Sequence, residues 1–423
     1  MESARSLAVR LLLRTFEEGG YSHLLLRQTL DASGLSPQDR GLCTMLYQGT
    51  AARMLTLRYI VSLYSKRPPE KLDAPVRYIL YLGLYQLLYC DRIPDSAAVN
   101  ESVKLTGQFR VRSASGLVNY VLRQFLRDGR QYPVSADLWQ SAVLRYSVPE
   151  ELLRTVADER GWGFAEQFFA DALLPAPCTV RLNTLRASAE EIAELQPQKC
   201  STEGCFQVET PDITGTESFR KGLLHVEDEA SQLCVQMLAP QPGETVLDVC
   251  AAPGGKSFTI AEQMQDEGHV YAFDLHPQRA ELIRKGAARL GLTSVTADVQ
   301  DATVLREHMP VADRILCDVP CSGLGVIRRK PEIRYKPLET FRELPEMQYR
   351  IMETASQYLK PGGVLMYSTC TILRSEDEAV VERFLRAHPE FTPEQMQLLP
   401  DETHRCDGFF AARLVKEGQH GTA

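Results

Sequence analysis

Two cysteines in this chain stand where a thiol could do chemistry. Cys321 follows a proline at the end of Asp313-Arg314-Ile315-Leu316-Cys317-Asp318-Val319-Pro320-Cys321, an apolar run closed by the acid Asp318. Cys370 follows a threonine at the end of Gly363-Val364-Leu365-Met366-Tyr367-Ser368-Thr369-Cys370. Each run predicts a strand that delivers its thiol to the carboxyl end, the edge where ligands gather in open α/β sheets. A lone cysteine is more often a small buried hydrophobe than a nucleophile. Two thiols and a carboxylate on one edge are a constellation suited to covalent catalysis.

A third stretch supplies a ligand turn. Thr245-Val246-Leu247-Asp248-Val249 reads as a buried parallel strand, and the helix behind Cys250-Ala251-Ala252-Pro253-Gly254-Gly255-Lys256-Ser257 presents free N–H groups to a ligand. Gly255-Lys256-Ser257 imitates the end of a phosphate-binding P-loop, but that motif needs a glycine where Cys250 stands. No G-x-G-x-x-G is present either. Asp274 ends the next predicted strand, 19 positions beyond Gly255, where a carboxylate suits ribose hydroxyls, and it could also cap the helix after His276-Pro277. Asp301 follows the third strand and is preferred over Asp298 as the acceptor for an adenine amino group. These features describe a pocket for S-adenosylmethionine.

Methyl transfer gives the thiols a purpose. Carbon 5 of a pyrimidine is too weak a nucleophile to take a methyl group from a sulfonium. A thiolate adding to carbon 6 makes the ring an enamine, and a carboxyl such as Asp318 can share or supply the proton at ring N3. A base must afterwards remove the carbon 5 proton.

The elements that position these groups follow from periodicity. From about residue 236 strands and helices alternate, the mark of a parallel sheet with crossover helices in a Rossmann-like α/β domain. Strands are predicted at 245–249, 269–274, near 293–297, 313–318, 362–368 and 408–415, and helices at 257–265, 276–290, about 338–359 and 375–387. Ser375-Glu376-Asp377-Glu378 matches a capping box for the last helix. Residues 1–130 read as an all-helical bundle, with the nearly all-apolar run Val76–Tyr89 as its central helix. Its tyrosines fit core and groove lining better than a base-stacking platform. Residues 131–235 read as a connector and a small α+β unit, and 236–423 as the third domain.

Composition narrows the class. Hydrophobic content of 44% and charged content of 24% are ordinary for a globular protein. No apolar run approaches a membrane span, and the charged N-terminus is unlike a signal peptide, so a cytoplasmic protein is expected, and it is read as a monomer. The 11 cysteines include no C-x-x-C pair or tight Cys/His cluster, so neither a metal site nor a disulfide framework is expected. The net charge of −8 divides into +6 over residues 1–150, from 19 basic and 13 acidic residues, and −14 over the rest. That asymmetry fits either a polyanion partner for the front half or a solvated helical surface. Arg110, Arg112, Arg123, Arg127 and Arg130 could meet phosphates, as could the basic run Arg328-Arg329-Lys330 after the Pro-Cys motif.

The phrases PDSAAVNESVKL and GLVNYVLR resemble the NusB-like RNA-binding domain, and TVRLNT and GLLHVEDEASQL resemble the RRM-like lead-in of RNA cytosine methyltransferases. DVCAAPGGKS, LCDVPCSG, YSTCT and DGFFAARL together resemble the Sun/Fmu (RsmB-type) branch of those carbon-5 methyltransferases, across essentially the whole chain. The resemblance implies 16S rRNA as the substrate and S-adenosylmethionine as the methyl donor. It makes Cys370 the nucleophile and Cys321 the residue that assists release. Cys250, Ala251, Ala252, Pro253, Gly254, Gly255, Lys256, Asp274, Asp301 and Asp318 would then line the cofactor and base pocket. The family has Asp-Ala-Pro-Cys where this chain has Asp318-Val319-Pro320-Cys321, and the Asp301 segment is its loosest match.

Overall fold

In the computed structural model, residues 3–19, 22–210, 212–404 and 406–418 are described. The chain divides into two compact units, one of residues 1–176 with 327–338, the other of 177–326 with 339–423.

The first unit is helical. Its α-helices are Ala4–Phe16 (α1), Ser22–Asp31 (α2), Pro37–Ala52 (α3), Met54–Tyr64 (α4) and Ala74–Tyr89 (α5). They continue as Asp95–Gln108 (α6), Ser115–Arg127 (α7), Leu138–Tyr146 (α8), Glu150–Arg160 (α9) and Trp162–Asp171 (α10). Helix α5 is the bundle's centre, buried from Val76 through Leu87 apart from Arg77, and Tyr78, Tyr81 and Tyr85 lie in the core. The all-apolar texture of this run is thus packing.

Residues 327–338 pack within this unit, although the sequence places them just after the Pro-Cys loop. Arg334 is fully buried and donates to the carbonyls of Ala52 (3.0 Å), Tyr146 (3.3 Å) and Ala172 (3.1 Å), which lie at the C-terminal ends of α3, α8 and α10. One guanidinium thus answers three helix ends whose carbonyls lack intrahelical partners. The Tyr335 hydroxyl donates to Ala51 O at 2.8 Å and accepts from Met54 N at 3.1 Å. Arg328, expected on a phosphate-binding loop, donates to the carbonyls of Leu174 and Pro175.

The second unit opens with a small antiparallel sheet of Cys178–Leu182 (β1), Gln198–Lys199 (β2), Cys205–Val208 (β3) and Leu224–Val226 (β4), in the order β2-β3-β1-β4. The segment Ala189–Leu195 is a 3-10 turn broken at Ile192. Helices Glu217–Arg220 (α11) and Glu229–Leu238 (α12) flank β4. The larger sheet holds Thr245–Asp248 (β5), His269–Asp274 (β6), Val295–Val299 (β7), Ala312–Asp318 (β8), Leu359–Thr369 (β9), Phe391–Leu399 (β10) and Phe409–Lys416 (β11). Its order is β10-β11-β9-β8-β5-β6-β7, with β5 to β9 parallel and the last two strands antiparallel.

Helices Gly255–Gln263 (α13) and Pro277–Leu290 (α14) join α12 on one face, while Leu344–Ser356 (α15) and Glu378–Ala387 (α16) cover the other. Successive β5 residues feed the two cores, Val246 the first and Leu247 the second. Strand order reverses between β5 and β8, so their carboxyl ends open the crevice where such sheets bind ligands. Strand β10 escaped sequence reading because its middle is polar and exposed. It is an edge strand with a bulge between Pro393 and Gln395, a position that tolerates proline.

Candidate active site

The turn after β5 is built around backbone. Gly254 adopts φ 109°, and a Cβ there would meet the Phe258 ring at 2.4 Å, so only glycine closes it. Asp248 is buried and accepts from Ser257 Oγ at 2.6 Å, and burial pushes its carboxyl up to about 7. Lys256, which opens α13, does not point at a phosphate. Its Nζ lies 2.9 Å from Asp318 Oδ2 and 5.1 Å from the centre of the Phe409 ring. Burial disfavours the charge on Lys256, but the Asp318 carboxylate more than offsets this and raises its pKa. Ser368 Oγ donates to Asp318 Oδ1 at 2.8 Å, so the carboxylate is fixed from both sides at the β5/β8 crevice.

Asp274 is buried at the tip of β6. Its Oδ1 accepts from His276 N at 3.1 Å, and Oδ2 lies 3.4 Å from Arg279. It makes no side-chain cap for α14, whose N-cap is His276. Asp301 is exposed and accepts from both Thr303 N (2.9 Å) and Thr303 Oγ1 (2.6 Å), bonds that lower its pKa. Its rival Asp298 pairs with Arg306 at 3.1 Å. Between them, buried Gln300 keeps Oε1 without a hydrogen-bond partner, a polar atom at this strand end that the sequence reading did not single out.

The two strand ends bring the thiols together, with Cys321 Sγ and Cys370 Sγ 3.2 Å apart. The hydrogen bond to Cys370, burial and the Cys370 charge all hold the Cys321 thiol well above its ordinary range.

Three loops are tied behind the thiols. Gly325 N donates to Cys370 O at 3.0 Å and Gly408 N to Gly325 O at 2.9 Å. A Cβ on Gly325 would lie 1.9 Å from Gly408 O, so this crossing requires glycine. Buried Glu376 accepts at Oε2 from Ser322 N and Gln348 Nε2, both at 2.9 Å. Asp377 accepts from Thr369 Oγ1 at 2.6 Å. The expected capping box is not formed, because the N-cap position falls on Asp377 rather than Ser375, and Glu376 and Asp377 hold the cysteine loops. Helix α16 starts only at Glu378, with no side-chain cap.

A buried polar layer also supports the glycine turn. Arg181 of β1 pairs with Glu262 of α13 at 3.0 Å, and His225 of β4 lies between Glu262 and Glu227. Glu227 accepts from Thr259 Oγ1 at 2.5 Å and backs onto Gly255. Asn183 donates to Leu290 O at 2.9 Å. The phrases TVRLNT and GLLHVEDEASQL are therefore the fastenings of the small sheet to the ligand turn. Sequence spacing gave no sign of this, since the partners lie 81 positions apart in the Arg181–Glu262 bond.

A family model described as 16S rRNA methyltransferase RsmB/F matches residues 235–415, and one described as the NusB family matches 2–127. The "Probable ribosomal RNA small subunit methyltransferase B" of Bacillus subtilis is 36% identical, over 98% of this chain and 99% of its own length. The chain belongs to the RsmB/F family of 16S rRNA methyltransferases. Ribosomal RNA small subunit methyltransferase B of Proteus mirabilis is 32% identical over 98% of both chains. Among solved structures, the one titled "Crystal Structure of PH0851" superposes with a TM-score of 0.82 at 26% identity, covering 98% of this chain and 99% of the other. The expected fold, a NusB-like bundle, a small α+β unit and an α/β methyltransferase sheet, stands, the middle unit being a small antiparallel sheet. Among the described residues no helix is long and apolar enough to cross a membrane.

Proposed function

We propose that this RsmB/F enzyme transfers a methyl group from S-adenosylmethionine to carbon 5 of a cytidine in 16S rRNA, through a covalent bond from Cys370 to carbon 6. The observation that carries the reading is the thiol pair, 3.2 Å apart beyond the ends of two neighbouring strands.

The residues at the first three strand ends fit the cofactor. The turn from Cys250 to Lys256 would pack against the cofactor, with buried Asp274 for the ribose, Asp301 for the adenine and the orphaned Gln300 Oε1 as a further acceptor. When bound, S-adenosylmethionine supplies an electrophilic methyl group on a sulfonium. Cys370 adds its electron pair to carbon 6, and the carbon 5–carbon 6 π pair becomes the nucleophile at carbon 5. Asp318, steadied by Lys256 and Ser368, keeps lone pairs for the N3 proton or the amino group of the base. Once Cys370 is spent in the carbon 6 bond, Cys321, its proton given up to solvent, serves as the base for the carbon 5 proton. The electrons of that C–H bond restore the ring double bond as the Cys370–carbon 6 bond breaks.

The target cytidine must leave its stack to reach Cys370. Exposed Arg110, Arg112, Arg123 and Arg127 in the NusB-like unit are candidates for phosphate contact, whereas Arg130 is paired with Asp95. The enzyme is read as a cytoplasmic monomer of three parts, 1–130, 131–235 and 236–423.

The test uses wild type, Cys370→Ser and Cys321→Ser with unmodified rRNA and isotopically labelled S-adenosylmethionine, on denaturing gels and by nucleoside mass analysis. Label in 5-methylcytidine, none with Cys370→Ser and a trapped protein–RNA adduct with Cys321→Ser is the expected result. An adduct with Cys370→Ser instead would reverse the two roles.

A further inference from the structure

Away from the catalytic thiols, the fold assembles a second sulfur site. Cys200 and Cys205 flank a four-residue turn joining β2 to β3, closed by Cys200 N to Cys205 O at 3.0 Å and Cys205 N to Thr202 O at 3.1 Å. Glu229, the first residue of α12, reaches this turn, and its Oε1 accepts from Thr202 N at 2.9 Å. The two sulfurs and a Glu229 carboxylate oxygen all lie within 4.8 Å of one another. Cys205 and Glu229 are buried, while Cys200 is half-buried.

We propose that Cys200, Cys205 and Glu229 bind a borderline-soft divalent cation of the zinc class. Two thiolates and one carboxylate are a zinc donor set, and the C-x₄-C spacing is within the usual range for a pair of ligands on one turn. Tetrahedral zinc with bonds of about 2.3 Å to sulfur needs the two sulfurs roughly 3.8 Å apart, within the observed cluster. The Thr202 N–H fixes one Glu229 oxygen, as outer hydrogen bonds orient metal ligands elsewhere, and leaves the carboxylate's other lone pairs for the ion.

The cluster gathers a buried carboxylate and two sulfurs at one turn, all within reach of a single ion. Thr202 Oγ1, in the same turn, is buried without a hydrogen-bond partner and offers an acceptor for a cation-bound water. Binding releases the thiol protons to solvent and leaves a thiolate pair neutralised by the ion. The sequence hid the set because the third donor lies 24 positions after Cys205 and is a carboxylate. Glu229 is two residues beyond Glu227, which backs onto Gly255, so the ion would staple the small sheet to the support of the ligand turn.

The test is metal content and cobalt spectroscopy on the full-length, reduced protein. Wild type is expected to retain about one zinc per chain after dialysis. After chelation, Co(II) alone should restore a near-ultraviolet sulfur-to-cobalt charge-transfer band. Cys200→Ser should lose the band, Glu229→Gln should weaken Co(II) binding roughly tenfold or more, and Cys370→Ser should keep it. Circular dichroism of each variant confirms that the fold is retained. No metal and no band in wild type would overturn the site. So would a band that survives Cys200→Ser and vanishes with Cys370→Ser, since the catalytic pair would then be the ligand. A Cys200–Cys205 disulfide in protein prepared under reducing conditions would overturn it in favour of a redox dithiol.

Discussion

Glu376→Ala removes the acceptor that spans both cysteine loops. In the wild type one carboxylate oxygen holds the backbone N–H of Ser322, next to Cys321, and the amide of Gln348, which also donates to Pro320 O at 2.9 Å. Its other oxygen lies 3.4 Å from Thr371 Oγ1, next to Cys370. Ser322 is 5% exposed and Gln348 0%, so truncation leaves two donors with no water to replace the lost partner. Each such donor costs about 1–3 kcal/mol. Burial raises the Glu376 carboxyl above its ordinary range, so deleting it also relieves a desolvation cost. A net loss of about 2–4 kcal/mol is expected. The larger effect is on rate, because the thiols must stay in register at 3.2 Å. A shift of about 1 Å in one loop lowers the rate roughly 100-fold. Glu376→Gln keeps an acceptor oxygen and should stay within about tenfold of wild type. The assay is single-turnover methyl transfer to unmodified 16S rRNA at saturating cofactor, beside thermal unfolding. A folded Ala variant with wild-type rate would refute the tether. A Gln variant as slow as Ala would show that the charge, not the geometry, matters.

Arg334→Met should lower the stability of the helical unit by about 3 kcal/mol or more, because three helix ends lose their donor; an unchanged urea midpoint would contradict that account. Arg181→Met strands the fully buried Glu262 carboxylate and should cost about 3–5 kcal/mol, while adding Glu262→Gln should recover part of it, as a double-mutant cycle in urea would measure. Asp248 titrates near 7 in the folded protein against 3.8 for the free side chain, so the fold binds the proton more tightly than the unfolded chain. Its contribution is complete below about pH 4 and is lost as pH rises towards about 7, a few kcal/mol in all. The stability difference between wild type and Asp248→Asn should therefore shift in favour of Asn across that window in cofactor-free protein, and a flat difference would remove Asp248 as its source.

Much of this protein was legible in one dimension because its chemistry is local. A strand, a glycine turn and a helix start within 13 consecutive residues at 245–257 are enough to mark a ligand edge, and two cysteines following predicted strand ends mark a thiol pair at that edge. Sheet strands buried on both faces must be continuous apolar runs, so β5, β6, β8 and β9 announce themselves. What the tertiary structure alone decided are pairings between distant positions. Lys256 meets Asp318 rather than a phosphate, Arg181 meets Glu262, and the acids at 376 and 377 go to the cysteine loops instead of capping α16. The segment 327–338 looks like a basic surface loop, yet its Arg334 is buried under three helix ends. In each case the residue type is visible but its partner is not. A buried polar group takes whichever partner the packed chain brings within about 3 Å, and local periodicity carries no record of that choice.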